Sequence, residues 1–574
     1  MAKQDKSALP DIPRPKAYEY LLKLREKTDL KLRKNRFIRD DVVLRYYQII
    51  GAMHLLKMSR MVLGDGTGLG KTVELIAFYA YLLEKNPDAK LLVISPKSAT
   101  AQWVDEFHKF TQGIDVRRLE NFGKASREKQ YREFWTDPLQ NVFVMHYHFF
   151  REDYRLYERY LTDNFVLVLD EATAVKGYKS KTHKVGCEVQ KRASRVYGLT
   201  ATLLKNNLLE GYGIYKVIYP PLFKNITSFK RWFCVEKKKK FNGRKIPVVV
   251  GYKNIPHFRA MIDPFFLGRN KYDVSDELPD LVTKEIPCGL TPTQLDLYTD
   301  ALEGTLSLQD ENGEWVDKET TPLTQIGYCQ QIVNSPHLIG IEGPSDKENE
   351  LFRLMDDELV GEKVIIFSKY KKMINRLEVL LDQKGINTCR ITGDESEDQR
   401  TINKLLFQED MPAIKRWVQS HLGPDADDRV KKRVLRSCKT QLRKLKDRDF
   451  PNVILLTPAG TEAINLQAAS VFVFYDNPWS QGDYDQLLGR MIRIGSKWNT
   501  VLAIHLMCKG TVDDHVMQLL KKKKRIISQV LGEQTKGALE FDTDSDVRDL
   551  FGKLRADALR LRAEGKKARD ALRA

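Results

Sequence analysis

From about Arg45 to Thr202 the chain alternates short, β-rich apolar runs with longer stretches of helical period. Met61–Leu63, Leu91–Ser95, Val142–His146, Phe165–Leu169 and Val196–Leu199 are the predicted strands, and the pattern Val73–Leu83 is a predicted helix. Such alternation predicts a parallel sheet with crossover helices. A second set begins near Lys363 with Val364–Phe367, Thr388–Ile391, Val453–Leu456, Val471–Tyr475 and Val501–Leu506. The expected fold is therefore α/β, with two parallel-sheet domains over 41–204 and 361–530. Between them, residues 205–360 turn aromatic and basic, with periodic segments Pro292–Leu306 and Leu323–Val333, which predicts helical insertions around the domain junction. Residues 412–448 predict a basic helical insertion in the second domain. Prolines 10, 13 and 15 precede a charged amphipathic pattern, so residues 1–40 read as an arm and helix, and residues 531–574 as a basic helical tail.

At 574 residues the chain exceeds one compact core, and 42% hydrophobic with 30% charged residues is a folded, globular composition. No apolar run approaches the ~20 residues that cross a bilayer, and the start carries no apolar stretch of a secretory signal. The seven cysteines lie tens of residues apart without a CxxC pair, so reduced thiols are expected rather than zinc or a disulfide framework. His146 and His148 could share one face of a strand, but no acidic or Cys partner stands near them in sequence. Lys and Arg outnumber Asp and Glu by 95 to 77, a net +18 that attracts a polyanion or an acidic membrane surface. Five basic runs, Lys31–Arg39, Lys237–Lys245, Arg429–Arg448, Lys521–Arg525 and Arg555–Arg573, favour a phosphate-binding track.

Asp65–Thr72 reads DGTGLGKT between a predicted strand and a predicted helix, the setting of a phosphate-binding loop. Gly68 and Gly70 let backbone N–H groups close around phosphate oxygens, Lys71 reaches the β- and γ-phosphates of ATP or GTP, and Thr72 can ligate Mg2+. Asp65 stands where the usual pattern has its first glycine. Asp170-Glu171-Ala172-Thr173 closes the strand Phe165–Leu169, which puts a hard oxygen ligand for Mg2+ at Asp170 and a group that positions and deprotonates water at Glu171. In QLLGRMIRIG, Arg490 and Arg493 lie three apart, on one face if the segment is helical, and two guanidiniums suit the spread charge of a phosphoryl-transfer transition state.

Taken in order, these motifs resemble the Swi/Snf-type ATPases of helicase superfamily two. Leu44–Gln48 is similar to the family's adenine-reading motif through Gln48. Val93–Ser98 with Gln102-Trp103 resembles motif Ia, Val144–Tyr147 motif Ib, and Leu199–Thr202 motif III, which in the family couples hydrolysis to DNA. More specific are Phe265–Lys271 with Asp273-Val274, Leu290–Gln294 with Tyr298, Gln331–Pro336, Lys363–Ser368, Ala459–Leu466, Asp476–Trp479 and Thr511–Asp514. The likeness spans roughly residues 41–530. It implies two RecA-like domains, ATP and Mg2+ as cofactors, and translocation on double-stranded DNA without sustained unwinding. It also implies that Arg490 and Arg493 act from one domain on ATP held by the other.

Four departures stand out: Thr173 replaces a histidine, Gly66-Thr67 replaces Glu-Met, Gly268 replaces the first of two arginines, and Gly460–Asn465 reads GTEAIN. Ser98, Thr200, Thr202, Thr457 and the backbone near Gly460 are candidate nucleic-acid or coupling groups, which read no bases, so binding should be sequence-independent and salt-sensitive. Trp103 and Trp479 either stack on bases or pack internally. Without a recognisable accessory module the chain resembles compact motors of bacteria and their viruses, which remodel DNA or protein–DNA complexes in replication, recombination or repair. A cytoplasmic location, in a bacterium or infected host cell or wherever DNA resides, is expected. A strand-separating DNA or RNA helicase, and an ATP-binding scaffold or switch with little hydrolysis, stay open as alternatives.

Overall fold

The computed structural model describes residues 9–31, 34–120, 123–163, 165–201, 203–204, 208–241, 244–269, 279–309, 315–317, 322–460, 466–478, 480–492, 496–518, 539–540 and 552–563. The chain forms two units, one of residues Met1–Asp276 with Arg525–Phe541, the other of Glu277–Lys524 with Asp542–Ala574.

The first unit is built on β1 (Arg60–Leu63), β2 (Leu91–Ser95), β3 (Val116–Arg118), β4 (Val142–His146), β5 (Phe165–Asp170) and β6 (Ala193–Leu199). Its hairpin joins β7 (Cys234–Phe241) to β8 (Arg244–Tyr252), and β9 (Phe266–Leu267) completes the main sheet. The seven-stranded sheet runs β3-β4-β2-β5-β6-β1-β9, and every neighbouring pair is parallel. Crossover helices such as Lys71–Lys85 and Thr100–Phe110 supply the connections that parallel strands require. All five residues of β2 are buried, which explains an unbroken apolar run where a half-exposed strand would alternate.

The second unit continues with β10 (Asp280–Cys288), the small hairpin β11 (Ser307–Gln309) and β12 (Trp315–Asp317), then β13 (Val364–Phe367), β14 (Thr388–Ile391), β15 (Val453–Leu456), β16 (Val471–Phe474) and β17 (Thr500–Cys508). Its six-stranded parallel sheet is ordered β10-β17-β16-β13-β15-β14. Val364 and Ile366 enter one core with Val453, Leu455, Val471 and Val473. Ile365 and Phe367 enter the other with Ile454, Leu456, Phe472 and Phe474. Helices cover both faces, so the central strands are apolar at every position.

Residues 205–360 depart from the expected helical region. They hold β7 to β12 as well as helices Leu208–Ile218, Pro292–Glu303 and Pro322–Asn334. β10 escaped the sequence pattern because it is an edge strand on which only Ile286 and Cys288 are buried. Lys237–Lys240 lie on β7, paired with Val248–Lys245 of β8. The helix Pro292–Glu303 starts with a capping box between Thr291 and Gln294 and stops at Gly304, whose φ of +81° ends it before Leu306. The basic insertion folds as three helices, Met411–Leu422, Asp428–Ser437 and Lys439–Asp447. In the tail, residues 552–563 are helical, with Leu554 and Ala558 buried in the second unit's core; β18 (Leu539–Glu540) pairs with β8. Six cysteines are buried, Cys187 is half-buried, and none forms a disulfide. His146 ends β4 while His148 belongs to the next helix, so the two share no strand; among the described residues no cluster could hold a metal. No helix of the described residues is long and apolar enough to cross a membrane.

Several motif residues of the second unit meet in one buried polar network. The fully buried Lys347 ammonium pairs with Asp513 at 2.6 Å and donates to Asn334 Oδ1 at 3.1 Å and the Tyr475 carbonyl at 2.9 Å. Asp476 accepts from Asn334 at 3.0 Å, Ser368 at 2.5 Å and the Lys369 N–H at 3.0 Å. Burial alone would push Lys347 below the usual lysine range, but chiefly Asp513, with Asp476, holds it above. Lys347→Ala strands the Asp513 carboxylate in a dry interior, while Asp476 keeps Asn334, Ser368 and Lys369, so the second unit should lose about 3–5 kcal/mol, read as a lower urea midpoint.

Candidate active site

β1 ends at Leu63 and the chain turns through Gly64–Gly70 into the helix Lys71–Lys85. Gly68 and Gly70 take φ of +90° and +87°, values that side chains resist. A Cβ on Gly70 would also stand 2.6 Å from Gln48 Nε2. Gln48 is buried: it accepts from the Arg45 N–H at 3.0 Å, capping its own helix Tyr46–Lys57, and donates to the Leu69 carbonyl at 3.2 Å. The amide thereby braces the loop from behind. Lys71 donates to the carbonyls of Asp65 at 2.7 Å and Gly66 at 3.3 Å. Burial pushes its ammonium below the usual lysine range, only partly offset by Glu171, Asp65, Asp170 and Glu74. Thr72 follows in the first helical turn, half-buried.

Asp170 closes β5, separated from β1 by β6 alone, and Thr200 follows β6 between them, its N–H donating to the Leu63 carbonyl at 3.1 Å. Trp103 donates its indole N–H to Asp170 Oδ2 at 2.8 Å, and the Glu171 N–H donates to Oδ1 at 3.1 Å. Burial foremost, then the Glu171 charge, pushes Asp170 up to about 6, while the Trp103 bond works against them. Glu171 sits at φ +51°, a left-handed conformation uncommon for a residue with a Cβ and typical of strained functional positions. The Tyr147 hydroxyl donates to the Asp170 carbonyl at 2.8 Å. Its pKa is driven up by burial and then by Asp170 and Glu171, so it remains a donor.

Beneath the loop lies an ion cluster whose pairing sequence analysis missed. Arg269, just after β9, clasps the buried carboxylate of Asp65 and pairs with the equally buried Glu74 at 2.9 Å; its N–H donates to Asp65 Oδ1 at 3.1 Å. The guanidinium also bonds the Tyr47 carbonyl and lies over the Tyr47 ring at 5.4 Å. Burial lifts the Glu74 carboxyl well above its ordinary range, with Arg269 opposing. Backbone bonds complete the clasp: the Gly64 N–H donates to the Leu267 carbonyl at 2.6 Å and the Gly66 N–H to the Arg269 carbonyl at 3.0 Å. Gly51 leaves room for it, because a Cβ there would stand 1.6 Å from Glu74 Oε2. The arginine in Phe265–Lys271 was visible, but nothing local pairs it with an aspartate about two hundred residues earlier.

Other candidates occupy strand ends too. Ser98 lies in the short 3-10 turn Lys97–Ala99 after β2, and Thr457 follows β15 in the second unit, buried, with its N–H 3.4 Å from the Ile391 carbonyl. Trp103 is a packed residue at 2% exposure, so internal packing, not base stacking, is its role. The helix expected to carry both arginines stops at Leu488, and Arg490 lies in the turn beyond it, its carbonyl accepting from Leu466 at 2.9 Å. Gly489 caps that helix, so Arg490 is not on it. Arg493, Thr202, Trp479, Asn206, Thr461–Asn465 and Lys521–Arg525 lie outside the described residues.

Hard oxygens at Asp170 and Thr72, an ammonium at Lys71 and loop N–H groups form a donor set that suits a magnesium–triphosphate. Residues 21–338 match the SNF2-related domain, and residues 435–495 the helicase conserved C-terminal domain. The chain is 26% identical over 531 residues to a probable ATP-dependent DNA helicase of Arabidopsis thaliana, covering 88% of this chain and 43% of that protein. It is 25% identical over 507 residues to the human SWI/SNF-related matrix-associated actin-dependent regulator of chromatin subfamily A member 1, covering 85% and 44%. The chain thus spans less than half the length of these curated relatives. Among solved structures, the SWI2/SNF2 ATPase core of Sulfolobus solfataricus in complex with dsDNA is 24% identical, covering 88% of this chain and 96% of that one, with a TM-score of 0.38.

Removing Arg269 leaves two buried carboxylates facing each other. Arg269→Ala should cost the first unit about 3–5 kcal/mol, measured by urea unfolding.

Proposed function

The chain belongs to the SNF2-related, Swi/Snf-type family of helicase superfamily two, and from that premise we propose that it is an ATP-hydrolysing motor that translocates on double-stranded DNA. The observation that carries this reading is the convergence of Lys71, Thr72, Asp170 and Glu171 at the carboxyl ends of parallel strands, where α/β sheets bind ligands. Bound Mg2+–ATP supplies a γ-phosphoryl group polarised by the metal. Thr72 and Asp170 are the residues that would hold the metal, with Asp170 oriented by Trp103 and by the Glu171 N–H. Lys71 and the loop N–H groups hold the phosphates. Glu171, in a left-handed backbone conformation directly after β5, would position the attacking water and take its proton. Arg490 and Arg493 remain the proposed partners of transition-state charge, and Gln48 the adenine-side residue.

The nucleic-acid partner rests on charge and placement. A net +18 draws a polyanion, and Ser98 stands half-buried at a strand end where its hydroxyl can meet phosphates, while Thr200 and Thr457 are buried at strand ends and are proposed as coupling residues. Relatives described as a DNA helicase and a regulator of chromatin support DNA. Interactions of this kind read no bases, so recognition is sequence-independent. Remodelling of DNA or protein–DNA complexes, in replication, recombination or repair, is the proposed work of the motor, and a DNA-associated place in the cytoplasm its proposed location. The domain division proposed is 1–40, 41–204, 205–360, 361–530 and 531–574.

Steady-state hydrolysis measured without nucleic acid and with single-stranded DNA, duplex DNA or RNA should rise most with duplex. Lys71→Ala and Glu171→Gln should each lower the stimulated rate by about 10²-fold or more. Preference for single strands or RNA would shift the reading to a strand-separating helicase, and a flat, near-zero rate to an ATP-binding scaffold. Trp103→Phe keeps the packing and loses the bond to Asp170, so the Mg2+ concentration at half-maximal hydrolysis should rise about tenfold.

A further inference from the structure

The insertion in the second unit carries more charge than its fold uses. Residues 411–448 hold twelve Lys and Arg against four Asp, a net +8 out of +18 for the chain. Its three helices have their own small core, Ile414, Trp417, Val434 and Cys438, packed on Ile402, Leu405 and Leu406 of the helix Glu397–Gln408. With that face committed inward, the opposite faces are basic at helical spacing. Arg429, Lys432, Arg433 and Arg436 fall at i, i+3, i+4 and i+7 of Asp428–Ser437, and Lys439, Arg443 and Lys446 at i, i+4 and i+7 of Lys439–Asp447. All seven are exposed. Arg433 is tied to Asp398 at 2.8 Å. Among the described residues the other six, Arg429, Lys432, Arg436, Lys439, Arg443 and Lys446, have no ion-pair partner. Six like charges on two short helices repel one another, a cost that a polyanion removes.

Their placement points the same way. Gln399 donates to the Ser437 carbonyl at 2.8 Å, holding the junction of the second and third insertion helices at the start of Glu397–Gln408. That helix begins shortly after β14, at the carboxyl end of the sheet, where Thr457 follows β15 and bonds back to Ile391. At the other end of β14, Lys444 bonds the Thr388 carbonyl at 2.6 Å and also Asn387. The third helix therefore runs along the edge of the sheet, and its stripe starts at the carboxyl-end loops.

We propose that this three-helix insertion is an additional grip on the phosphate backbone of duplex DNA, continuous with the carboxyl-end surface of the second unit. The proposal rests on the translocase reading above. Lysine and arginine alone, without an aromatic or amide group in the stripe, meet phosphates and not bases, so the grip is independent of sequence.

The test is equilibrium binding of a blunt DNA duplex across a salt series. It compares the parent chain with a variant in which Arg429, Lys432, Arg436, Lys439, Arg443 and Lys446 are all replaced by glutamine, a good helix former. Two half-variants, one per helix, carry three of these substitutions each, and circular dichroism checks that helix content is kept. Every phosphate that the variant no longer neutralises lowers the slope of log K against log salt by about 0.9, so the full variant should lose up to about 5 and each half-variant about half of that. A variant with the parent's affinity and slope overturns the grip while leaving the translocase reading standing. A parent that binds no duplex overturns both. Unchanged duplex binding with lost binding of polyglutamate overturns the proposal in favour of an acidic protein surface.

Discussion

One arginine between two buried carboxylates holds the nucleotide loop in place. Asp65 opens the loop, Glu74 lies one turn into the helix that follows, and Arg269 joins both to the end of β9. Three charges with so little access to solvent are tolerable only because they face each other and share further hydrogen bonds with backbone. The departure from the usual glycine at position 65 acquires its reason here. A glycine offers no carboxylate, whereas Asp65 anchors the loop from below while its carbonyl accepts from Lys71 above. Gly51 belongs to the same constraint, since only its missing Cβ admits Glu74.

The second unit uses the same device with the signs exchanged. Lys347 lies among Asp513, Asn334 and the Tyr475 carbonyl, and Asp476, just beyond β16, is bonded to Asn334 and paired with the Lys369 ammonium at 3.9 Å. Four segments singled out by family likeness, those containing Asn334, Ser368, Asp476 and Asp513, thus meet in a structural network. Their shared pattern is explained by the need to satisfy one buried ammonium and two buried carboxylates. Both networks lie under the carboxyl ends of parallel strands. Sheets packed on both faces then carry the candidate site's side chains on short, braced turns, as in Gln48 behind Gly70 and Trp103 beside Asp170.

That arrangement separates what performs chemistry from what supports it. The proposed chemistry falls to Lys71, Thr72, Asp170 and Glu171, while Trp103 and Tyr147 bond Asp170, Gln48 bonds the loop at Leu69, and Arg269 bonds Asp65 and Tyr47. Glu171 stands apart in holding a strained backbone angle, which neighbouring bonds to Asp170 stabilise. The basic insertion follows the same logic: a small core orders three helices, and the order turns scattered lysines and arginines into a stripe.

Fully buried strands were legible because burial on both faces demands unbroken apolar runs, and the phosphate loop and DEAT string because their chemistry needs particular residues in local order. Three edge strands were not, since β10 shows mostly solvent-facing residues and β3 and β9 are too short to carry a period, whereas the edge strand β14 was legible because three of its four residues are buried. Spacing alone put Arg490 and Arg493 on one helix face, and the helix end at Leu488 decided otherwise for Arg490. Trp103 offered two uses, and only its burial against Asp170 chose between them. The amino-acid sequence by itself determined the two-sheet α/β plan and the strand–loop–helix setting of the candidate phosphate loop, because both are written in interactions between near neighbours. The tertiary structure decided which distant charges pair, as Arg269 does with Asp65 and Lys347 with Asp513, since a buried charge is neutralised by whatever group the fold brings within reach.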